Sequence, residues 1–208
     1  MTRTNAAIVA LAFLLLIPSA SRAQVSVRGF GNAGLTMFSA TQSFKAILGK
    51  ATGPVYGGGI EFGEKQFFLD FAAERFRRNG HRVFVFQDQV FPLNVTDTIT
   101  ITPVDLTFGY RFRSHGLVPY AGGGARWYRY EETSEHATDD ENVKKTYTGY
   151  QVLGGVEVPL QRWLAAAVDA QWANAPNAFA DSPTSVATVY NEHALGGFTL
   201  RAKIIIGR

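Results

Sequence analysis

The amino-acid sequence predicts an all-β protein, an eight-stranded antiparallel up-and-down transmembrane β-barrel. Eight segments alternate with a period of two, and short and long breaks between them take turns along the chain. In each segment one face is apolar, and the other carries small and charged residues. The last segment shows this most plainly, with Phe198, Leu200, Ala202, Ile204 and Ile206 on one side and Thr199, Arg201 and Lys203 on the other.

The N-terminal residues 1–23 are predicted to be a secretory signal peptide. Arg3 precedes an apolar run over residues 6–17, and small residues then lead to a cleavage site at Ala23-Gln24. Cleavage leaves residues 24–208 as one barrel domain. No later segment approaches ~20 continuous apolar residues, so no helical membrane anchor is expected after processing.

Composition excludes several classes of protein. The chain has no cysteine, which rules out a disulfide scaffold and a lipid-modified N-terminal cysteine. Loss of Arg3 and Arg22 with the signal peptide lowers the formal charge from +3 to +1, because two positive charges are removed. The basic composition therefore predicts no affinity for nucleic acid.

The predicted strands alternate between short turns and long loops. The strands are residues 25–38, 54–63, 65–77, 98–112, 117–130, 145–159, 162–173 and 194–207. The short turns lie at residues 63–64, 113–116 and 160–161, and the long gaps are residues 39–53, 78–97, 131–144 and 174–193. Short turns on one side and long loops on the other are typical of outer-membrane barrels, and an even strand number returns both termini to the periplasm.

Each predicted strand divides into an inward and an outward face. The inward faces hold, in strand order, Arg28 and Asn32; Gly57, Gly59 and Glu61; Asp70, Ala72 and Glu74; Asp105, Thr107, Gly109 and Arg111; Tyr120, Gly122, Gly124 and Arg126; Gln151, Gly155 and Glu157; Ala165, Ala167, Asp169 and Gln171; Thr199, Arg201 and Lys203. The outward faces hold Val27, Ala33 and Leu35; Tyr56, Ile60 and Phe62; Leu69, Phe71 and Ala73; Val104, Leu106, Phe108, Tyr110 and Phe112; Ala121, Ala125 and Trp127; Tyr150, Val152, Val156 and Val158; Leu164, Ala166, Val168, Ala170 and Trp172; and the apolar face of the last strand. Phe30, Phe68, Phe76 and Ile205 break the pattern, and Pro103 predicts a bulge.

The inward charges form a candidate network inside the lumen. It consists of the acids Glu61, Asp70, Glu74, Asp105, Glu157 and Asp169 and the bases Arg28, Arg111, Arg126, Arg201 and Lys203. Eight strands enclose a space that side chains nearly fill, and enclosed charges need partners. The near balance of acids and bases favours a salt-bridge plug, and the alternative is a narrow conducting path.

Aromatic residues near the strand ends predict two membrane-interface belts. Phe62, Tyr110, Phe112 and Trp163 flank the short turns, whereas Trp127, Tyr130, Trp172 and Phe198 lie toward the long loops.

A basic cluster of Arg75, Arg77, Arg78 and Arg82 spans the end of the third predicted strand and the start of the second long gap. Asn79-Gly80 in its middle predicts a tight hairpin turn. The arginines are candidates to bind lipopolysaccharide phosphates, with a solvated turn as the alternative. Residues 83–86 and 90–93 predict a small extra hairpin.

The run from Pro119 to Gly124 and the final strand resemble the small, porin-like outer-membrane β-barrel family of the OmpA and OmpX kind. The resemblance covers residues 24–208 and implies an outer-membrane location. The implied partners are outer-membrane lipid, lipopolysaccharide and the barrel-assembly machinery, and a monomer is expected.

The leading functional hypothesis is a non-enzymatic cell-envelope protein, structural or presenting four external loops to other surfaces. A narrow pore for small solutes or ions is the alternative, followed by a lipid-modifying enzyme and a soluble, lipocalin-like carrier. The histidines at 81, 115, 136 and 193 fall in breaks or at a strand's outer end without an obvious serine partner. We therefore predict no catalytic, cofactor or metal site.

Overall fold

The computed structural model describes residues 25–87, 89–112, 116–134, 143–179 and 185–207. Within them the strands form a closed antiparallel barrel in sequence order, which confirms the predicted fold class. The strands are β1 (Ser26–Phe38), β2 (Thr52–Glu64), β3 (Phe67–Phe86), β4 (Gln89–Arg111), β5 (Val118–Ser134), β6 (Val143–Gln161), β7 (Leu164–Ala175) and β8 (Leu195–Gly207). The predicted signal peptide lies outside the described residues.

Two helices occur in the long connections, α1 (Thr41–Leu48) before β2 and α2 (Val186–Val189) before β8. Of the helices that the structure describes, none is long and apolar enough to cross a membrane.

The barrel closes where β1 pairs with β8, from Arg28 opposite Gly207 to Phe38 opposite Gly197. Short turns join β2 to β3, β4 to β5 and β6 to β7, and we call this end of the barrel the short-turn end. The opposite end, which carries α1, α2 and the β3–β4 tip, is the long-loop end.

The prediction of a turn at Asn79-Gly80 is wrong, because β3 runs through both residues. β3 and β4 extend together far past the barrel, and the chain turns near Gln87, whose φ is +49°. The predicted extra hairpin is the tip of this pair, with Val83 opposite Pro92 and Phe86 opposite Gln89. Gly80 is needed for packing: a Cβ there would lie 2.2 Å from the carbonyl oxygen of Ile47 in α1.

The bulge predicted at Pro103 is also absent. Ala73 pairs with Val104 and Phe76 with Ile101, so the β3–β4 register is the same on both sides of the proline. Pro103 itself lies opposite Tyr128 of β5 without a shift. β4 therefore accommodates the missing N–H by losing local pairing with β3 and keeps its alternation.

The outward face carries an apolar band bordered by exposed aromatic rings. Toward the short-turn end the predicted belt residues Phe62, Tyr110, Phe112 and Trp163 are exposed, and toward the long-loop end so are Trp127, Trp172 and Phe198. Beyond Trp127 the outward positions of β5 become the polar Arg129 and Glu131. We take the part of each strand between the belts as the membrane-spanning segment, so β5 beyond Tyr128 lies outside it.

Candidate functional site: the barrel interior and its long-loop mouth

The interior charges nearest the short-turn end form a compact group of two arginines and two glutamates. Arg28 lies 2.8 Å from Glu61 and 2.6 Å from Glu157. Arg111 contacts the same two carboxylates, Glu61 closely and Glu157 at 3.3 Å. Each charge thus has two opposite partners, and the group closes this end of the lumen.

An apolar layer follows above this group, built by the residues that seemed to break the pattern. Phe30, Phe68 and Ile205 point inward and pack with Tyr120 and Leu153. The rings also face cations, because the Arg111 guanidinium lies 4.6 Å from the centre of Phe68 and the Lys203 ammonium 4.9 Å from that of Phe30. These three residues therefore keep the inward–outward alternation of their strands. They differ from the other inward side chains only in being apolar.

The middle of the lumen holds a second, larger charge network. The contacts are Arg126 to Glu74 (3.0 Å) and Asp105 (3.0 Å), Arg201 to Glu74 (2.7 Å) and Asp169 (2.7 Å), and Lys203 to Asp169 (2.8 Å) and Asp70 (4.0 Å). All six of these distances join side chains that are almost fully buried. Neutral groups complete the network, since Asn32 donates to Glu74 at 3.1 Å and the Tyr120 hydroxyl to Asp169 at 2.8 Å.

Little space remains between these layers. Between the layers, two small cavities have volumes of about 20 Å³ and about 10 Å³, whereas a cavity of about 310 Å³ opens at the short-turn end beside Arg28 and Glu157. The two small cavities are each about the size of a single water molecule. The predicted charges therefore pair with one another around small voids.

A second apolar layer caps the network at the long-loop end. Phe76, Ile99, Ile101 and Leu195 point inward from the strands and are buried. The helix α1 completes the layer, because its Phe44 ring stacks on Phe38 with 4.1 Å between ring centres.

The position of α1 is fixed at both ends. The Glu192 carboxylate, from the connection after α2, accepts hydrogen bonds from the backbone N–H groups of Gln42 (2.9 Å) and Ser43 (2.8 Å). An anion at this point satisfies free N–H groups of the first turn. Gly49 ends the helix with a φ of +73°. Sequence reasoning missed α1, although Phe44, Ile47 and Leu48 have helical spacing.

Outside this cap lies a cavity of about 310 Å³, which we call the mouth cavity. Its polar side includes the carboxyl groups of Asp97 of β4 and Glu132 of β5, which are close enough to interact electrostatically. Burial, followed by the contact with Asp97, raises the pKa of Glu132 to about 7. The Tyr130 hydroxyl donates to Glu132 at 3.0 Å.

Tyr130 does not belong to an aromatic belt, contrary to the sequence prediction. Its ring is buried and faces inward, with Tyr147 and Phe179 around it at centre distances of 6.4 Å and 6.1 Å. The reason is parity, because Tyr130 shares the inward face of β5 with Tyr120 and Arg126.

The basic cluster is divided between two faces. Arg75 and Arg77 are exposed on the outward face of β3. Arg78 donates to the carbonyl oxygen of Thr52 at 2.8 Å, and Arg82 lines the mouth cavity. Arg129 of β5 is a further outward arginine that the prediction omitted, and its side chain is 68% exposed.

A sequence model of the outer membrane protein beta-barrel domain matches residues 9–189 of the chain. The chain belongs to this family. Members of the outer membrane protein beta-barrel family reside in the outer membrane, which agrees with the apolar outward band. Comparison with curated proteins finds no match.

Solved structures of two outer-membrane barrels are similar to this family member. Ail of Yersinia pestis, in complex with the heparin analogue sucrose octasulfate, has a TM-score of 0.50 at 10% identity, covering 88% of this chain and 98% of that one. The N-terminal barrel domain of Pseudomonas aeruginosa OprF has a TM-score of 0.47 at 12% identity, covering 88% of this chain and 97% of that one. At these identities the likeness shows the fold alone.

Proposed function

We propose that this protein is a non-enzymatic outer-membrane barrel with a closed lumen, which acts through the surface at its long-loop end. The observation that carries this is the stacking of layers inside the barrel. Two charge networks, an apolar layer and the α1 cap follow one another along the axis. A pore needs a continuous aqueous path, and the internal cavities of about 20 Å³ and about 10 Å³ favour closure over conduction.

The described side chains also favour a non-enzymatic role. The interior carboxylates are engaged by arginine or lysine, which suits structural pairing better than acid–base chemistry. His193 contacts Asn191 at 3.0 Å, and His81 is exposed on β3. Neither histidine has a described serine contact that would activate a nucleophile.

The surface proposed to act is the outward arginine patch, defined as Arg75, Arg77 and Arg129. The β4–β5 register places Thr102 opposite Arg129, and the unchanged β3–β4 register places Arg75 opposite Thr102. Adjacent strands lie ~4.8 Å apart, so Arg75 and Arg129 are separated by about 10 Å across β4. Both follow the apolar band directly.

Phosphate is the ligand chemistry that this patch suits. Guanidinium groups bind phosphate through paired hydrogen bonds, and three of them beside the apolar band would meet the phosphorylated sugars of lipopolysaccharide. Arg129 is held by Glu131 at 2.9 Å, but this pair is exposed and contributes little. The outward patch therefore carries the proposed interaction, whereas Arg78 donates to Thr52 and Arg82 lies at the mouth cavity.

The test is replacement of Arg75, Arg77 and Arg129 by alanine in one variant. Binding of purified lipopolysaccharide to the refolded protein should weaken at least tenfold, and the loss should shrink as salt is added. A matched control replaces Lys65 and Arg162, which lie at the short-turn end, and should bind as the wild type does. Equal binding by all three proteins would remove the arginine patch from the proposed function.

A further inference from the structure

The mouth cavity has the make-up of a small-molecule site. Its volume of about 310 Å³ is at the lower end of the ~300–1,000 Å³ typical of such sites. Most of its wall is apolar, contributed by α1, the β3–β4 extension, β6 and the connection after β7; examples are Phe44, Ile47, Val83, Tyr147 and Phe179. Ile99 and Tyr130 of the apolar cap form its inner side, so the cavity is separated from the lumen.

One buried polar atom in this wall lacks a partner. Asp97 lines the cavity and is only 1% exposed, and its Oδ1 has no hydrogen-bond partner among the described residues. A buried carboxylate oxygen without a donor is costly, because no hydrogen bond compensates the loss of its hydration. The neighbouring Glu132 carboxyl accepts from Tyr130, and once it is ionised it has no proton to donate to Asp97. The cavity therefore contains an acceptor that a bound donor would satisfy.

The charges around this acceptor favour a positively charged donor. From β4 and β5 the groups that face it are the carboxyls of Asp97 and Glu132 and the Tyr130 hydroxyl. Arg82 of β3 and Lys145 of β6 also line the cavity, but both side chains are exposed to solvent. The buried part of the polar side is thus acidic, and the basic part is its solvated rim.

We infer that the mouth cavity binds a small molecule with an apolar body and a primary ammonium group. The ammonium donates to Oδ1 of Asp97 and to Glu132, and the apolar body lies against Phe44, Ile47 and Phe179. A bound cation favours the ionised form of Glu132, so binding at neutral pH releases the proton that this carboxyl group otherwise holds.

Phenethylamine is a suitable probe, with phenethyl alcohol as its uncharged counterpart. Binding is measured by calorimetry on the refolded protein in nanodiscs, with empty nanodiscs as the blank for partition into lipid. We expect one saturable site for the amine and at least tenfold weaker binding of the alcohol. Because Glu132 titrates near pH 7, affinity for the amine should rise about tenfold from pH 6 to pH 8.

Two variants separate the site from general effects of charge. Asp97→Asn keeps the size of the side chain and should weaken amine binding at least tenfold. Glu131→Gln removes a carboxylate from the adjacent position on the outward face and should bind as the wild type does. Val83→Trp, which fills the cavity and leaves both acids in place, should abolish binding.

The inference is overturned if the amine only partitions into lipid, which would mean that water alone occupies the site. It is equally overturned if Asp97→Asn and Val83→Trp bind like the wild type, or if the alcohol binds as tightly as the amine. None of these outcomes depends on lipopolysaccharide, so this site and the outward arginine patch are tested independently.

Discussion

The central charge network should be the most sensitive part of the barrel, and Glu74 is its most informative residue. Its carboxylate lies 3.0 Å from Arg126 and 2.7 Å from Arg201, and all three side chains are at most 4% exposed. Replacement of Glu74 by Gln keeps the size of the side chain and leaves two buried guanidinium groups with one carboxylate fewer. Breaking a buried ion pair from one side costs about 3–5 kcal/mol.

The assay is urea-induced unfolding of the refolded protein in detergent micelles, followed by tryptophan fluorescence. We expect the free energy of unfolding of Glu74→Gln to fall by about 3–5 kcal/mol. Glu131→Gln is the matched control, because its partner Arg129 is 68% exposed and such pairs contribute only about 0–1 kcal/mol. A loss for Glu74→Gln that is no greater than that of Glu131→Gln would refute the reasoning that paired charges hold the lumen closed.

Two further predictions concern the long-loop end. Gly80→Val should displace α1, because even a Cβ at this position would lie 2.2 Å from the carbonyl oxygen of Ile47. Hydrogen exchange in α1 should then become faster, whereas Gly29→Ala, whose Cβ would have 4.0 Å to its nearest described neighbour, should leave it unchanged. The stability of the mouth should also depend on pH, because the pKa of Glu132 is raised from 4.5 to about 7 and the folded state holds this proton more tightly than the unfolded state. The stabilisation that protonated Glu132 gives the mouth is therefore present below about pH 4.5 and is lost as the pH rises to about 7. Hydrogen exchange at the ends of β4 and β5 should speed up over this interval in the wild type and stay constant in Glu132→Gln; a flat wild-type profile would contradict the assignment.

The barrel could be predicted from the sequence because alternation along a strand is a local property. The alternation of neighbouring residues along a strand is enough to indicate that each of these charged side chains, from Arg28 in β1 to Lys203 in β8, faces inward. Parity also determines which side chains share the lumen. The ion pairs themselves required the strand register, since residues such as Arg28 and Glu157 are far apart in sequence and meet across the barrel.

The wrong predictions arose where a local signal was outweighed by packing. Asn79-Gly80 has the residues of a tight turn, but Gly80 allows close contact with α1 inside a long strand. Pro103 normally disturbs a strand, yet the ladder resumes in the same register on either side. Tyr130 was assigned to a belt from its place near a strand end, and its parity, which indicates the inside, was the better guide.

The mouth cavity could not be predicted, because it depends on contacts between connections. Helix α1 is positioned by Glu192, which lies near the far end of the chain. Asp97 and Glu132 come together only because β4 and β5 continue past the membrane. Both residues lie beyond the ends of the strands that the sequence predicted, at residues 98 and 130. A sequence pattern gives no distance between two such residues.

The closed lumen is tested most directly by the conductance of single refolded molecules in a planar bilayer, with Arg126→Ala and Arg201→Ala measured beside the wild type. A protein shown to be folded and inserted should give no channel currents, because its interior charges are paired and α1 covers the mouth. A steady wild-type conductance that depends on salt, and whose selectivity changes when these arginines are replaced, would contradict a closed barrel and establish a pore.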